Sequence, residues 1–508
     1  MIWNKAFGVF ALLFTVNSVI DSFKRPSIPY NHYLNGVFRP VEKERTVEVE
    51  HEHYLLSKLS GTFSQIGSNP RNLGTKDAGY HWFDGDGMVH AALFNGTSFT
   101  YVNRWVETKR YKAELRWGKK MYLYFGELRG IHGMIEIMKW SMLQMLALVP
   151  GARGTANTAF LEWDGQHYAL HEGDFPYNIY YDRTNNNIIT KAQLEIPNVK
   201  SVTAHPKIDK KRDELYLYGY NNYDFVNGVF FHNVLNKNLE IIHQSNIPLI
   251  NNGMIHDVAQ TRNHLIIPDL PLKYDFNKIM ENKLPLAFDN NGTSRFGTMH
   301  KDTKTVEWYY LEDDNVFIFH FTEHAFELHN SFVIYACVMD FLDMEDFVHL
   351  DNPEHKIRGN LRLQQIVLNK KTKKATIIKN DFIEKIPNFD DIEYNMDFPM
   401  TSKLNPKHIY CSIFNAKTGK IVGFTKTDIS QFTEKSKSTC IFRLDSMYVN
   451  SEAQVVVIDG IEYLLCFTYD DDEQNSYVSL IQVSHKKIHS VRIPSVRIPP
   501  GFHSMYHE

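Results

Sequence analysis

From residue 157 onward the chain alternates short apolar runs with polar turns. ELYLYGY (214–220), SFVIYACV (331–338), EYLLCFTY (462–469) and YVSLIQV (477–483) are rich in aromatic and β-branched residues and bounded by polar clusters. That is the pattern of buried strands. No long helical pattern interrupts them. A succession of short strands this long predicts radial repetition, a β-propeller, rather than one sandwich. No WD-type signature marks the units, so pattern alone does not count the blades.

The first third is more varied. Alternation at 46–49 predicts an edge strand, and GTFSQIGSNP (61–70) reads as a turn-rich segment. YHWFDGDGMVHAALFNG (80–96) reads as strand, tight turn, strand. Its Asp84-Gly-Asp86-Gly is not a calcium loop, because the fifth position of an EF-hand would be Met88 and the twelfth Asn95, not a glutamate. A hairpin turn is the expectation. One stretch has helical period. In GIHGMIEIMKWSMLQMLALV (130–149), Ile131, Ile135, Met138, Met142, Met145 and Leu146 recur at three- and four-residue steps. Met134, Ile137, Trp140 and Leu143 make the rest apolar too. A helix apolar on most sides is buried or dips into lipid, and taken alone burial is the simpler reading.

Composition changes little. No Pro/Gly/Ser-rich linker or charge run divides the 508 residues, so one large domain over 31–508 follows an N-terminal segment over 1–30. A net charge of -4 gives no general attraction to nucleic acid. The four cysteines, Cys337, Cys411, Cys440 and Cys466, form no CxxC pair, which points to a reducing, cytoplasmic setting. Residues 6–20 point elsewhere. They are mostly apolar and preceded by Lys5, but shorter than the ~20 residues of a membrane span. They fit a secretory signal with Val16 and Ser18 before a cleavage point, or an anchor lying on a membrane surface.

Candidate chemistry lies in histidines. His256, beside Asp257, sits between a glycine-containing turn and the apolar run 264–267. Alone, it reads as a hydrogen-bonded core histidine. Three more histidines occur in comparable settings: His205 in SVTAHPKID, His320 in VFIFHFTEH and His503 in PPGFHSMYHE. Only a closed fold could bring the four together. Four neutral imidazoles on one ion would leave two octahedral positions for oxygen or substrate. Carboxylates accepting the other ring N–H would fix them, and Glu172 and Asp397 are candidates, each otherwise a solvated turn acid. His320-Phe-Thr-Glu323-His324 also matches the inverted zinc-peptidase motif HxxEH. That chemistry needs a helix, whereas the flanks VFIF and SFVIYACV read as strands.

The chain resembles the carotenoid cleavage oxygenases from about residue 33 to its end. The resemblance is carried, in order, by GTFSQIGSNP, YHWFDGDGMVHAALF, NRWVET, GTANTAFLEWDGQHYALHEGDFPY, TAHPKID with DELYLYGY, GMIHDVAQTRNHLIIPDLPL, SRFGTMH and PPGFH. It implies an all-β fold, a seven-bladed β-propeller with a helical and loop cap over an axial metal site. It implies Fe(2+) held by His205, His256, His320 and His503, with Glu172 and Asp397 behind them. The implied reaction is cleavage of a carbon–carbon double bond of a carotenoid or apocarotenoid by dioxygen, with no organic cofactor and no acid–base side chain.

Three departures accompany it. Asp397 replaces the usual glutamate. VVVIDG puts Val457 where a further glutamate is usual. FTEH lengthens the spacer after the third ligand by one residue. Anchoring on VFIF chooses His320 over His324, which is expected beyond the strand end; His320 then shares a face with Ile318. Stilbenoid cleavage ranks second, since the stilbene branch has a lysine where Thr155 stands, although Tyr101 remains a phenol partner. Retinoid isomerohydrolysis ranks third. A propeller that only binds carotenoid or lipid is the reading from another class. The resemblance also implies peripheral membrane contact around a tunnel mouth, through Met138, Met142 and Met145, with Phe230 in FVNGVFF (225–231) as a second wall.

Overall fold

A computed structural model describes residues 31–71, 79–149, 151, 154–198, 202–220, 227–312, 315–348, 356–378, 392–430, 438–444 and 446–508. The N-terminal segment 1–30 and residue 225 lie outside the described residues.

Consecutive strands pair antiparallel into meanders. One four-stranded sheet runs Ala159–Trp163, Gln166–Leu170, Tyr177–Asp182, Asn187–Gln193. The next runs inward from Ile241–Pro248 through Val229–Leu235 and Glu214–Tyr220 to Lys207–Asp209. An eight-stranded sheet has Ala259–Gln260 at one end and Phe317–Glu327 at the other. Its halves join only where Val306–Leu311 runs parallel to Lys374–Ile378 through two residue pairs. A long sheet begins at Tyr394–Thr401 and ends at Lys487–Ile493. Divided at such seams, the sheets are the radial meanders of a β-propeller, as the strand pattern predicts.

A five-stranded sheet closes the ring. It runs Arg45–Glu50, Ser98–Trp105, Gly87–Asn95, Ser60–Ser68, Ser504–His507, so strands from opposite ends of the chain lie side by side. The edge strand expected at 46–49 is present. GTFSQIGSNP, expected to turn, is instead mostly the buried strand Ser60–Ser68. Its glycines serve close approach: a Cβ on Gly67 would lie 2.6 Å from Gly501 Cα. On Gly61, which has φ +78°, it would lie 2.1 Å from the His507 carbonyl oxygen. Residues 80–86 also differ from the hairpin expected there. Trp82–Asp84 is a 3-10 turn capped by His81. The Asp84 carboxylate accepts N–H bonds from Phe125 at 2.6 Å and Gly126 at 2.9 Å, and these bonds favour the turn over a strand.

The helix expected over 130–149 spans Gly130–Met145. It is not fully buried. Gly133, Glu136 and Leu143 face inward, while Ile131, Met138 and Met145 are 61%, 61% and 80% exposed. Met142 is half-buried. Among the described residues no helix is long and apolar enough to cross a membrane.

Candidate metal centre

Each candidate ligand stands on, or one to three residues before, a strand at the end of its sheet. His205 precedes Lys207–Asp209, His256 precedes Ala259–Gln260, His320 lies in Phe317–Glu327, and His503 precedes Ser504–His507. Terminal strands of radial meanders face the common axis, which is how residues up to 298 positions apart meet. The Nε2 atoms of His205 and His256 are 2.9 Å apart, those of His256 and His320 3.2 Å, and those of His320 and His503 3.1 Å. All four ligand atoms lie within 4.8 Å of one another.

Carboxylates fix three of the rings. His320 Nδ1–H donates to Asp397 at 2.9 Å, and His503 Nδ1–H to Glu452 at 3.2 Å. His256 Nδ1 is paired with Glu172, whose other oxygen accepts a bond from Tyr220 at 2.8 Å. The aspartate at 397 thus reaches its imidazole despite its shorter side chain. Glu452 was missed from the sequence, and Val457 does not hold its place. Val457 is 40% exposed on the strand Gln454–Ile458, whereas Glu452 lies just before that strand and meets His503 across 51 residues.

With Nδ1–H committed to a carboxylate, each of these rings turns a lone pair on Nε2 toward the same point. Acceptors facing one another at about 3 Å need a cation between them. Right-angle ligands ~2.1 Å from one ion would lie ~3.0 Å apart. The donor set therefore fits a divalent metal with four nitrogen ligands. Burial holds His503 below the usual imidazole range, which favours its neutral, ligating form.

Asp257 acts behind the centre. One oxygen accepts the Phe321 N–H at 2.9 Å. The other accepts the Val258 N–H at 2.7 Å and pairs with Lys207 at 2.7 Å. One buried carboxylate thus joins the segments carrying His205, His256 and His320. His205 itself is held by its backbone, its N–H donating to Thr203 and its carbonyl accepting from Tyr218.

His324 is not part of the group. Its Nε2 lies against the Pro406 carbonyl. It lies within the strand, not past its end as expected; register shifts between Ile318 and Phe321 and between Phe321 and Ala325 absorb the extra residue. The same irregularity breaks strict alternation, since Phe319 and His320 both line the cavity beside the centre. His320, Glu323 and His324 share a strand, so HxxEH is no helical zinc motif here.

That cavity holds about 550 Å³. Its wall is mainly apolar and aromatic, including Trp82, Phe83, Phe319, Phe398 and Phe502. It runs from His256, His320 and His503 to Ile137 and Trp140 on the helix Gly130–Met145. Burial raises the carboxyl of Asp84, also in this wall, to about 6, against the pull of the Gly126 and Phe125 N–H groups. Phe230 is not at this mouth. It is fully buried in Val229–Leu235 and stacks on Tyr218, because its face of the strand packs into the core. Tyr101 is also buried away from the cavity, bonded to His90 at 2.7 Å. Thr155 does line it.

Fold and centre together define an all-β propeller whose axial site, able to hold a metal, opens into an apolar cavity. The family model described as retinal pigment epithelial membrane protein matches residues 38–508, and the chain belongs to that family. Carotenoid 9,10(9',10')-cleavage dioxygenase 1 of Phaseolus vulgaris is 29% identical, over 94% of this chain and 90% of its own length. Lignostilbene dioxygenase of Pseudomonas brassicacearum superposes with a TM-score of 0.75 at 17% identity, covering 95% of this chain and 100% of that one. A variant of Synechocystis apocarotenoid oxygenase gives 0.70 at 16% identity, covering 92% and 97%.

Proposed function

We propose that the protein is a non-haem Fe(II) oxygenase that cleaves a double bond of a carotenoid or apocarotenoid with dioxygen, giving two carbonyl products. The observation that carries this reading is the four-imidazole group opening onto a long apolar cavity. Full-length similarity to enzymes named carotenoid cleavage dioxygenases supports the substrate class. His205, His256, His320 and His503 would hold the iron, which when bound supplies the means of activating dioxygen. The chain's own residues bind and orient. The aromatic wall takes up a polyene and excludes water, and the cavity's shape selects which double bond lies beside the centre. Glu172, Asp397 and Glu452 keep the Nδ1 protons, so that each Nε2 remains a ligand.

We further propose a cytoplasmic protein that meets a membrane at its periphery. The exposed methionines of the helix beside the cavity support this, since a bilayer-dissolved polyene must enter from lipid. Stilbenoid cleavage is the second reading, favoured by the lignostilbene dioxygenase fold. Thr155 and the remote Tyr101 leave a phenol without the expected partners. The decisive test is Fe(II) reconstitution under oxygen with a panel of carotenoids, apocarotenoids and stilbenoids, followed by chromatography. Carbonyl products from a polyene are expected. Bound iron with no cleavage of any of them would leave a carotenoid-binding propeller instead.

A further inference from the structure

The four imidazoles stand between two cavities of unlike character. The apolar one does not reach His205. A second, of about 750 Å³, reaches His205, His320 and His503, and its wall is predominantly polar. Glu162, Asp213, Glu323 and Glu452 line it, and the ammonium of Lys207 there is paired with Asp257. His205 is half-buried, whereas the other three histidines are buried. It is also the one whose ring shows no carboxylate contact among the described residues, being fixed instead through its backbone.

A hydrated dication entering the apolar cavity would have to shed water against a mainly aromatic and aliphatic wall, where oxygens such as those of Asp84 and Thr155 are few and scattered, a costly desolvation. The polar cavity replaces water with carboxylate oxygens, and its acidic rim raises the local cation concentration. We infer that the polar cavity is the route by which a divalent cation reaches the centre, with His205 as the ligand that turns aside to admit it. Substrate and metal then have separate entrances. The inference rests on the reading of the four histidines as a metal centre.

The test uses full-length protein stripped with a chelator and mixed rapidly with Co(2+), whose visible absorption reports ligation by imidazole. At low ionic strength the wild-type association rate should fall steeply as salt is added. Glu162→Gln with Glu323→Gln removes two exposed rim charges that touch no ligand. This pair should slow association about fivefold at low salt and less than about twofold at physiological salt, with the final spectrum unchanged. Ser141→Trp, which narrows the apolar cavity, should leave the rate as it is. A salt-independent rate, an unaltered rate in the charge variant, or slowing by Ser141→Trp would each overturn the route. Protein that takes up no Co(2+) at all would overturn the metal-centre reading itself, a different and recognisable failure.

Discussion

Asp257→Asn changes one oxygen to an amide nitrogen without altering shape, so it isolates the hydrogen-bonding role of this residue. The carboxylate accepts the Phe321 N–H on one oxygen and the Val258 N–H with the Lys207 ammonium on the other. Asparagine must point its NH2 at one of those donors in either orientation. Losing a bond to a charged group costs about 1.5–3 kcal/mol, and leaving a buried N–H without an acceptor costs about 1–3 kcal/mol more. A total near 3–5 kcal/mol corresponds to a fall in Tm of about 3–5 °C for a chain of this size. Phe321 follows His320 directly, so the released strand should also carry that ligand off its position. Metal affinity is expected to fall about 10–100-fold, as it does when groups behind a ligand are lost. Differential scanning calorimetry and a metal titration measure the two effects. A Tm within about 1 °C of wild type, with full affinity, would refute the claim that Asp257 joins the three ligand-bearing segments.

His320→Ala should abolish tight metal binding and cleavage, whereas His324→Ala, whose ring lies against Pro406, should keep both; metal analysis of the two purified variants decides. Chelation should lower Tm, because a ligand present at 100 times its Kd contributes about 2.7 kcal/mol to the folded state alone, and re-adding the ion should restore it. Met138→Glu with Met145→Glu should release the protein from neutral liposomes in a flotation assay while circular dichroism stays unchanged, since both side chains are already mostly exposed. Continued flotation would place the membrane contact elsewhere.

The four clustered histidines were legible because each stands in a distinct short motif, in or just before a strand, and because the family resemblance singles them out. Glu172 and Asp397 were legible for the same reason. Glu452 was not: it lies in no marked motif, and its partner is delivered by a segment 51 residues later. The strand Ser60–Ser68 was hidden because glycine and serine usually signal turns, whereas here they make room for a neighbouring backbone. The exposed face of Gly130–Met145 was invisible to periodicity, since a helix apolar all round gives no sign of which side is covered. Phe230 was misplaced for the converse reason, as an apolar run does not show which of its members the core claims.

The carboxylate at Asp257 has a bearing on which element the site accepts. By tying three histidine-bearing segments to one another, it fixes the backbones from which the imidazoles extend. A nitrogen cage so fixed cannot reshape itself to the angles an ion would choose, so it favours ions that accept right-angle ligands with open positions beside them. Intrinsic affinities for such donors rise from manganese to copper, with ferrous iron near the weak end and zinc above it. Zinc favours a tetrahedral set, so a rigid right-angle cage sets geometry against the order of intrinsic affinity. Which ion the protein holds in a living cell is then decided by that geometry together with what the cell offers it.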